Sequence, residues 1–248
     1  MVTVLKLGGS VITDKDRPET LDGEALAAAA DAIAAALADG AVDDLVVVHG
    51  GGSFGHHHAD EHGVTTDTGS RDAGEVMAVH GAVKTLNRFV LSRLHDRDVP
   101  ALPVHPLSAA SRDADAALSM PTDQVATMLD EGFVPVLHGD GVVHAGEGVT
   151  VVSGDELVTH LARRFAADRV GLCSTVPGVL DVDGDVIPEI RAFEDAADAL
   201  GASDSTDVTG GMAAKVRELL ALGAPSYVFG PDALADFLAG DDVGTRIE

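Results

Sequence analysis

The chain has 248 residues, enough for one sizeable core, and 46% are hydrophobic while only 3% are aromatic, so that core must be built from Ala, Val, Leu and Ile. Sixteen basic residues against 41 acidic ones give a formal charge of -25, which repels nucleic acid and anionic membranes and suits a carboxylate-solvated surface in a salt-rich cytoplasm, where screening shortens self-repulsion. The apolar content excludes disorder, the lone Cys173 excludes an intrachain disulfide and reads as a small core residue, and no stretch resembles a signal peptide or membrane span. A soluble, cytoplasmic, salt-adapted protein is expected.

VTVLKL (2–7) reads as a strand, followed by an Ala-rich helix near 21–39. There Leu26, Ala29, Ile33 and Leu37 recur at helical spacing, Thr20 or Asp22 caps the start, and Gly40 ends it. LVVVH (45–49) is the next strand, and a helical stretch runs from about 70 to 97. Then come PALPV (100–104), a helix near 121–131, FVPVL (133–137), and GVVHAGEGVTVVS, whose turn glycines mark a β-hairpin. A helix at 155–167, the buried strand RVGLCST, a short helix near 193–200, a helix after Gly211, the strand SYVFG, a helix near 231–239 and a closing GTRI complete the chain. Continuous apolar strands between amphipathic helices predict an α/β fold with a mainly parallel central sheet covered on both faces. No Pro-, Gly- or Ser-rich linker divides the chain and no repeat is present, so a single domain over 1–248 is expected.

Ligands of such sheets gather at the carboxyl ends of strands. LKL ends in Gly8-Gly9-Ser10, VVVH ends in Gly50-Gly51-Gly52-Ser53, and TDVTGGMAAK (206–215) opens a helix. Glycine lets the main chain approach a ligand, and successive N–H groups at a helix start form a nest for anionic oxygens. Any one such loop is as well explained by a tight turn. Three of them share the chain with only four lysines, Lys6, Lys15, Lys84 and Lys215, and all but Lys84 stand on or near a glycine loop. Ammonium groups beside nests suit phosphate, and several loops suit more than one phosphate. The Walker A pattern is absent, and Asp60 and Glu61 follow GGGSFG too closely to be the ribose acid of a dinucleotide site.

Taken together, LKLGGSVITDK (5–15), HGGGSFGH (49–56), SGDE (153–156) and TDVTGGMAAK resemble the amino acid kinase superfamily, and within it the isopentenyl phosphate kinases. The resemblance spans the chain in order. It implies a single open αβα sandwich, a homodimer, an N-terminal half that binds the phosphate acceptor and a C-terminal half that binds ATP. It further implies that Lys6, Leu7, Gly8, Gly9 and Ser10 contact the ATP phosphates, with Gly52, Asp155, Gly210 and Lys215 also on the nucleotide side. Gly51, His56 and Gly154 would contact the acceptor, isopentenyl phosphate. Lys15 would support the transferring phosphoryl group, Asp155 would organise the lysines, and Mg²⁺ would bridge the ATP phosphates. The implied reaction forms isopentenyl diphosphate in an archaeal-type mevalonate route. Uridylate, acetylglutamate and fosfomycin-type kinases of the same superfamily, and a nucleotide-binding subunit without transfer, remain alternatives.

Other residues have plainer readings. His57 and His58, with His62 nearby, are read as a solvated helix start and not a metal site, because zinc needs defined spacing and supporting partners. His49 is either a core hydrogen-bonding histidine or a ligand, and Asp155 can serve as a helix cap. Met77, Val79, Val83, Leu86, Phe89 and Val90 form a helical stripe that suits core, interface or an isoprenoid pocket. Lys84 suits solvent or an interface. Val176-Pro177 stands where relatives often carry an aspartate, which leaves nucleotide preference open.

Overall fold

The computed structural model describes residues 1–201 and 211–248. From the N-terminus, β1 (Val2–Leu7) enters the short helix α1 (Gly9–Ile12), followed by α2 (Gly23–Ala38), β2 (Asp44–His49), α3 (Gly52–His62) and α4 (Ala73–His95). Next are β3 (Ala101–Pro103), β4 (Ser111–Arg112), β5 (Leu118–Ser119), α5 (Asp123–Asp130), β6 (Val134–His138), β7 (Asp140–His144) and β8 (Gly148–Val152). The remainder runs α6 (Gly154–Phe165), β9 (Arg169–Cys173), β10 (Glu189–Ile190), α7 (Ala197–Gly201), α8 (Gly211–Leu220), β11 (Ser226–Phe229), α9 (Leu234–Ala239) and β12 (Thr245–Ile247).

The main sheet has the order β10-β12-β11-β9-β1-β2-β6-β3. Its six strands from β11 to β3 are parallel, and β12 runs antiparallel to β11. Alternation along the central strands decides which helices cover which face. Leu5, Leu7, Leu45 and Val47 pack with Leu26 and Ile33 of α2, Leu86 of α4 and Phe237 of α9. Val4, Val46 and Val48 pack on the other side with Leu157 and Leu161 of α6 and Val216 and Leu219 of α8. Both faces are thus covered, and the strands are apolar at successive positions because neither face meets water.

Helix starts follow local chemistry. Of the two candidate caps for α2, Asp22 acts, its Oδ1 accepting from the Ala25 N–H at 2.9 Å, and the chain leaves the helix through Gly40 at φ +67°. Asp72 Oδ1 caps α4 through the N–H groups of Gly74 and Glu75. The predicted hairpin is present as β7 and β8, but it belongs to a second sheet of order β5-β4-β7-β8. Strands β4 and β5 have two residues each, too few to write a periodic signal. This small sheet is tied to α6 by a bidentate pair: the two terminal nitrogens of Arg112 donate to the carboxylate oxygens of Glu156 at 2.5 and 2.6 Å.

The register brings the carboxyl ends of four strands into a row. Leu7 lies opposite both His49 and Cys173, and His49 lies opposite His138. The chain leaves the sheet at each of these residues, and the candidate site forms there.

Candidate active site

The strands exit through residues with little or no side chain. Gly8 N–H donates to Cys173 O at 2.9 Å, Gly50 N–H to Leu7 O at 3.0 Å and Gly139 N–H to His49 O at 3.0 Å. The sheet ladder therefore continues into the loops and fixes their height. Two loops then touch main chain to main chain: a Cβ on Gly9 would lie 2.3 Å from Gly52 N, and one on Gly50 would lie 2.6 Å from Gly9 N. Thr13 locks this contact, its Oγ1 accepting from the Ser53 N–H at 3.0 Å and donating to Gly9 O at 2.8 Å. The N-terminus of α3 faces the resulting cleft, with a partial positive charge suited to anions.

Lys6, Gly8, Gly9, Ser10, Gly51, His56, Gly154, Asp155 and Lys215 all line this one cleft of about 240 Å³. Lys6 rises from β1 and its Nζ donates to Asp155 Oδ1 at 2.6 Å, while Lys215 Nζ, from α8, stands 3.9 Å from Asp155 Oδ2. Asp155 occupies the first turn of α6 and is not its cap; that place belongs to Ser153, whose Oγ accepts from the Glu156 N–H at 3.1 Å. The carboxylate is thus free to gather two ammonium groups. Gly154 makes room for this arrangement, since a Cβ there would meet Lys6 Cε at 3.2 Å. On α8, burial and the negative charges of Asp155 and Glu156 push the Glu218 carboxyl above its usual range.

His56, on α3, also lines the cleft, as do Val79 and Val83 of α4. A Cβ on Gly55 would lie 2.7 Å from Val83 Cγ1, so glycine is what lets α3 and α4 approach here. The helical stripe of α4 therefore divides three ways. Val79 and Val83 reach the cleft, Leu86 and Val90 are core, and Met77 and Phe89 are exposed.

Four predicted residues stand elsewhere. Lys15 is exposed and lines an adjoining groove that shares Ser10 and Thr175 with the cleft. Leu7 turns its side chain into the core, and Gly52 is buried beneath Gly9 and Thr13 at φ +51°, so neither lines the cleft. Gly210 lies outside the described residues. Cys173 is buried core, as expected, and burial pushes its thiol up to about 12.

His49 is the core hydrogen-bonding histidine that sequence offered as one of two readings, but sequence reasoning missed the layer beneath the loops to which it belongs. His49 and His138 are fully buried, their rings stacked 5.4 Å apart. Each Nδ1 donates to the carbonyl of the next residue, Gly50 O at 2.9 Å and Gly139 O at 3.0 Å, which assigns the proton to Nδ1. The two Nε2 atoms then accept, from Asn87 Nδ2 at 3.0 Å and from His105 Nδ1 at 2.8 Å. Burial, then the neighbouring His138, depresses His49 to about 3, and burial depresses His138 as well, so both are neutral. His80 completes the group by donating to Asp140 at 2.8 Å. The signal that could have found this layer is the repeat of His-Gly at 49–50 and 138–139, two strand ends with the same dipeptide. His57 and His58 also differ from expectation. Helix α3 begins at Gly52, so they lie within it and not at its start, and His58 is half-buried.

The cleft joins glycine loops at strand ends, two lysines on one carboxylate and an imidazole, groups suited to anionic oxygens. Residues 1–224 match the model of the amino acid kinase family. The chain belongs to the amino acid kinase family. Within the family it is 68% identical to the isopentenyl phosphate kinase of Haloferax volcanii, over 99% of this chain and 98% of the relative. It is 34% identical to the isopentenyl phosphate kinase of Methanothermobacter thermautotrophicus, over 98% of both chains. An X-ray structure of an isopentenyl phosphate kinase superposes over the full length of both chains with a TM-score of 0.85 at 29% identity. The family's αβα sandwich is thus the fold of this chain, and no helix among the described residues is long and apolar enough to cross a membrane.

Proposed function

We propose that the chain transfers the γ-phosphoryl group of ATP to the phosphate of isopentenyl phosphate, releasing ADP and isopentenyl diphosphate. The observation that carries this reading is the composition of the cleft: Lys6 and Lys215 converge on Asp155, and His56, Val79 and Val83 line the same space. A phosphate oxygen of the acceptor attacks the γ-phosphorus, and the bond to the β–γ bridging oxygen breaks with its electron pair leaving on ADP. Little covalent chemistry falls to the protein in such a transfer. Its work is alignment and charge stabilisation.

The loop at Gly8–Ser10, with Lys6 and Lys215, suits the ATP phosphates, and Lys15 supports the transferring group from the neighbouring groove. Gly51, Gly154 and His56 suit the acceptor phosphate, the imidazole orienting the attacking oxygen. Val79 and Val83 offer the apolar surface that an isoprenoid tail needs. Both carboxylates of the cleft are engaged, Asp155 by lysines and Asp140 by His80 and the N–H groups of Leu107 and Gly141. Mg²⁺ would therefore be held by ATP phosphates and water, in keeping with its reluctance to lose water to a protein cage. When bound, it would supply positive charge against the phosphate oxygens of ATP, beside the charge that Lys6 and Lys215 contribute.

Residues 1–248 are taken as one functional unit, a homodimer of a salt-rich cytoplasm, and light scattering after gel filtration tests the dimer. The function is tested by a panel of acceptors with Mg-ATP in concentrated KCl: isopentenyl phosphate, uridylate, acetylglutamate and fosfomycin. Isopentenyl phosphate should give ADP and the diphosphate, and the carboxylate acceptor should give nothing. No turnover of isopentenyl phosphate at any KCl concentration overturns the proposal.

A further inference from the structure

A second cluster of chemistry-bearing side chains lies on α3, on residues the kinase reaction does not use. His58, Glu61 and His62 stand at i, i+3 and i+4, which places all three on one helical face, and one ligand atom of each lies within 4.8 Å of the others. Glu19 reaches the same face from the loop that precedes α2, its Oε1 lying 2.5 Å from His58 Nε2. A carboxylate only accepts, so Nε2 carries the proton and Nδ1 of the neutral ring is a bare lone pair. That Nδ1 is shielded from solvent, has no hydrogen-bond partner, and faces Glu61 Oε2 at 3.6 Å. With the ring neutral, Nδ1 and Glu61 Oε2 are both lone-pair donors, a pair that a shared cation stabilises.

We propose that His58 Nδ1, Glu61 and His62 bind a divalent d-block cation of the Zn²⁺ class. Two imidazoles and a carboxylate, with a position left for water, form a ligand set that this class of ion favours over Mg²⁺ or Ca²⁺. Histidines four apart on a helix are a known geometry for holding such an ion. Glu19 is the outer carboxylate that fixes the tautomer of His58 and raises its basicity. The surrounding backbone shows what the ion would do. Glu19 is a non-glycine residue at φ +47°, its N–H donates to Ser53 O at 3.3 Å, and the N–H of Thr20 donates to Ser53 Oγ at 3.2 Å. An ion on His58 therefore braces the 14–22 loop, which carries Lys15, against the helix that carries His56.

The test uses chelator-treated full-length protein in KCl without nucleotide, titrated with Zn²⁺ by calorimetry and with Co²⁺ by visible absorption. One equivalent of Zn²⁺ should bind, with Co²⁺ giving d–d bands at the same stoichiometry. His62→Ala and Glu61→Gln, both on the helix surface, should weaken Zn²⁺ at least about tenfold and abolish the Co²⁺ bands. His57→Ala, on the same helix but outside the cluster, should change neither. Equal Zn²⁺ affinity in the wild type and His62→Ala, or an equal loss in His57→Ala, overturns the proposal and leaves a proton as the cation between His58 and Glu61.

Discussion

Replacing Gly9 with alanine tests the contact on which both phosphate loops depend. No positive φ is involved at this position, so the effect is steric alone. The added Cβ would lie 2.3 Å from Gly52 N and 2.6 Å from Gly52 Cα, where ordinary contact begins at 3.4 Å, so the loops must part by about 1.1 Å (3.4 less 2.3). Neither loop can yield by a side-chain rotation, because the atoms in the way are backbone, held by Gly8 to Cys173, Gly50 to Leu7 and Thr13 to Ser53. Forced overpacking of this kind costs about 1–3 kcal/mol of stability. In the proposed reaction the larger effect is on chemistry, since the loop at Gly8–Ser10 would serve one phosphate and that at Gly51 the other. A misplacement of about 1 Å between reacting groups costs on the order of 10²-fold in rate, or about 2.7 kcal/mol of barrier. Steady-state kinetics on both substrates, with urea unfolding alongside, should show kcat down by about that factor in a protein that still folds. Gly81→Ala is the control. Nothing lies within 4 Å of its Cβ in the middle of α4, so it should gain about 0.5–1 kcal/mol and keep its kcat. Turnover of Gly9→Ala near that of Gly81→Ala would show that the loops are not held in fixed separation.

His56→Ala should lose on the order of 10²-fold in kcat while ATP affinity, measured by calorimetry, is kept; normal turnover removes the histidine from the mechanism. Glu156→Ala should destabilise the protein by about 3 kcal/mol in urea unfolding, because it leaves the Arg112 guanidinium, 7% exposed, without its carboxylate; an unchanged midpoint would mean that water replaces the pair. Acid should unfold the protein through its buried histidines. An unfolded imidazole takes its proton near 6.5, whereas His49, packed against Asn87, His138 and His105, refuses one until about 3. Its contribution is therefore complete above about 6.5 and is lost as pH falls toward 3, at up to about 1.4 kcal/mol per pH unit, with His138 and His105 adding in the same direction. Denaturant midpoints measured from neutral to acid pH in molar KCl, which screens the surface carboxylates, should fall with pH; a flat profile contradicts the buried neutral assignment.

Local chemistry was enough to write most of the elements, though not the short α1, β4 and β5 nor the bounds of α3. The apolar runs, the Asp22 cap and the turn glycines of the hairpin are short-range signals, and the strands and helices fall where those signals lie. The glycine loops and the lysines near them were legible for the same reason: a residue type that only one chemistry favours shows itself without a partner. Sequence could not decide which lysine enters the cleft, because Lys15 is nearer in the chain to the first loop than Lys215 is, yet it is Lys215 that α8 brings to Asp155.

What the amino-acid order determined by itself was the alternation of strand and helix, the sheet's two covered faces and the nests at strand ends, since each follows from interactions within a few residues. What only the tertiary structure decided was every pairing across long separations. Lys6 meets Asp155, 149 residues away, Thr13 meets Ser53, and His58 meets Glu19. Each of these depends on the register of parallel strands joined by crossovers, which sets distances between side chains that no spacing along the chain encodes.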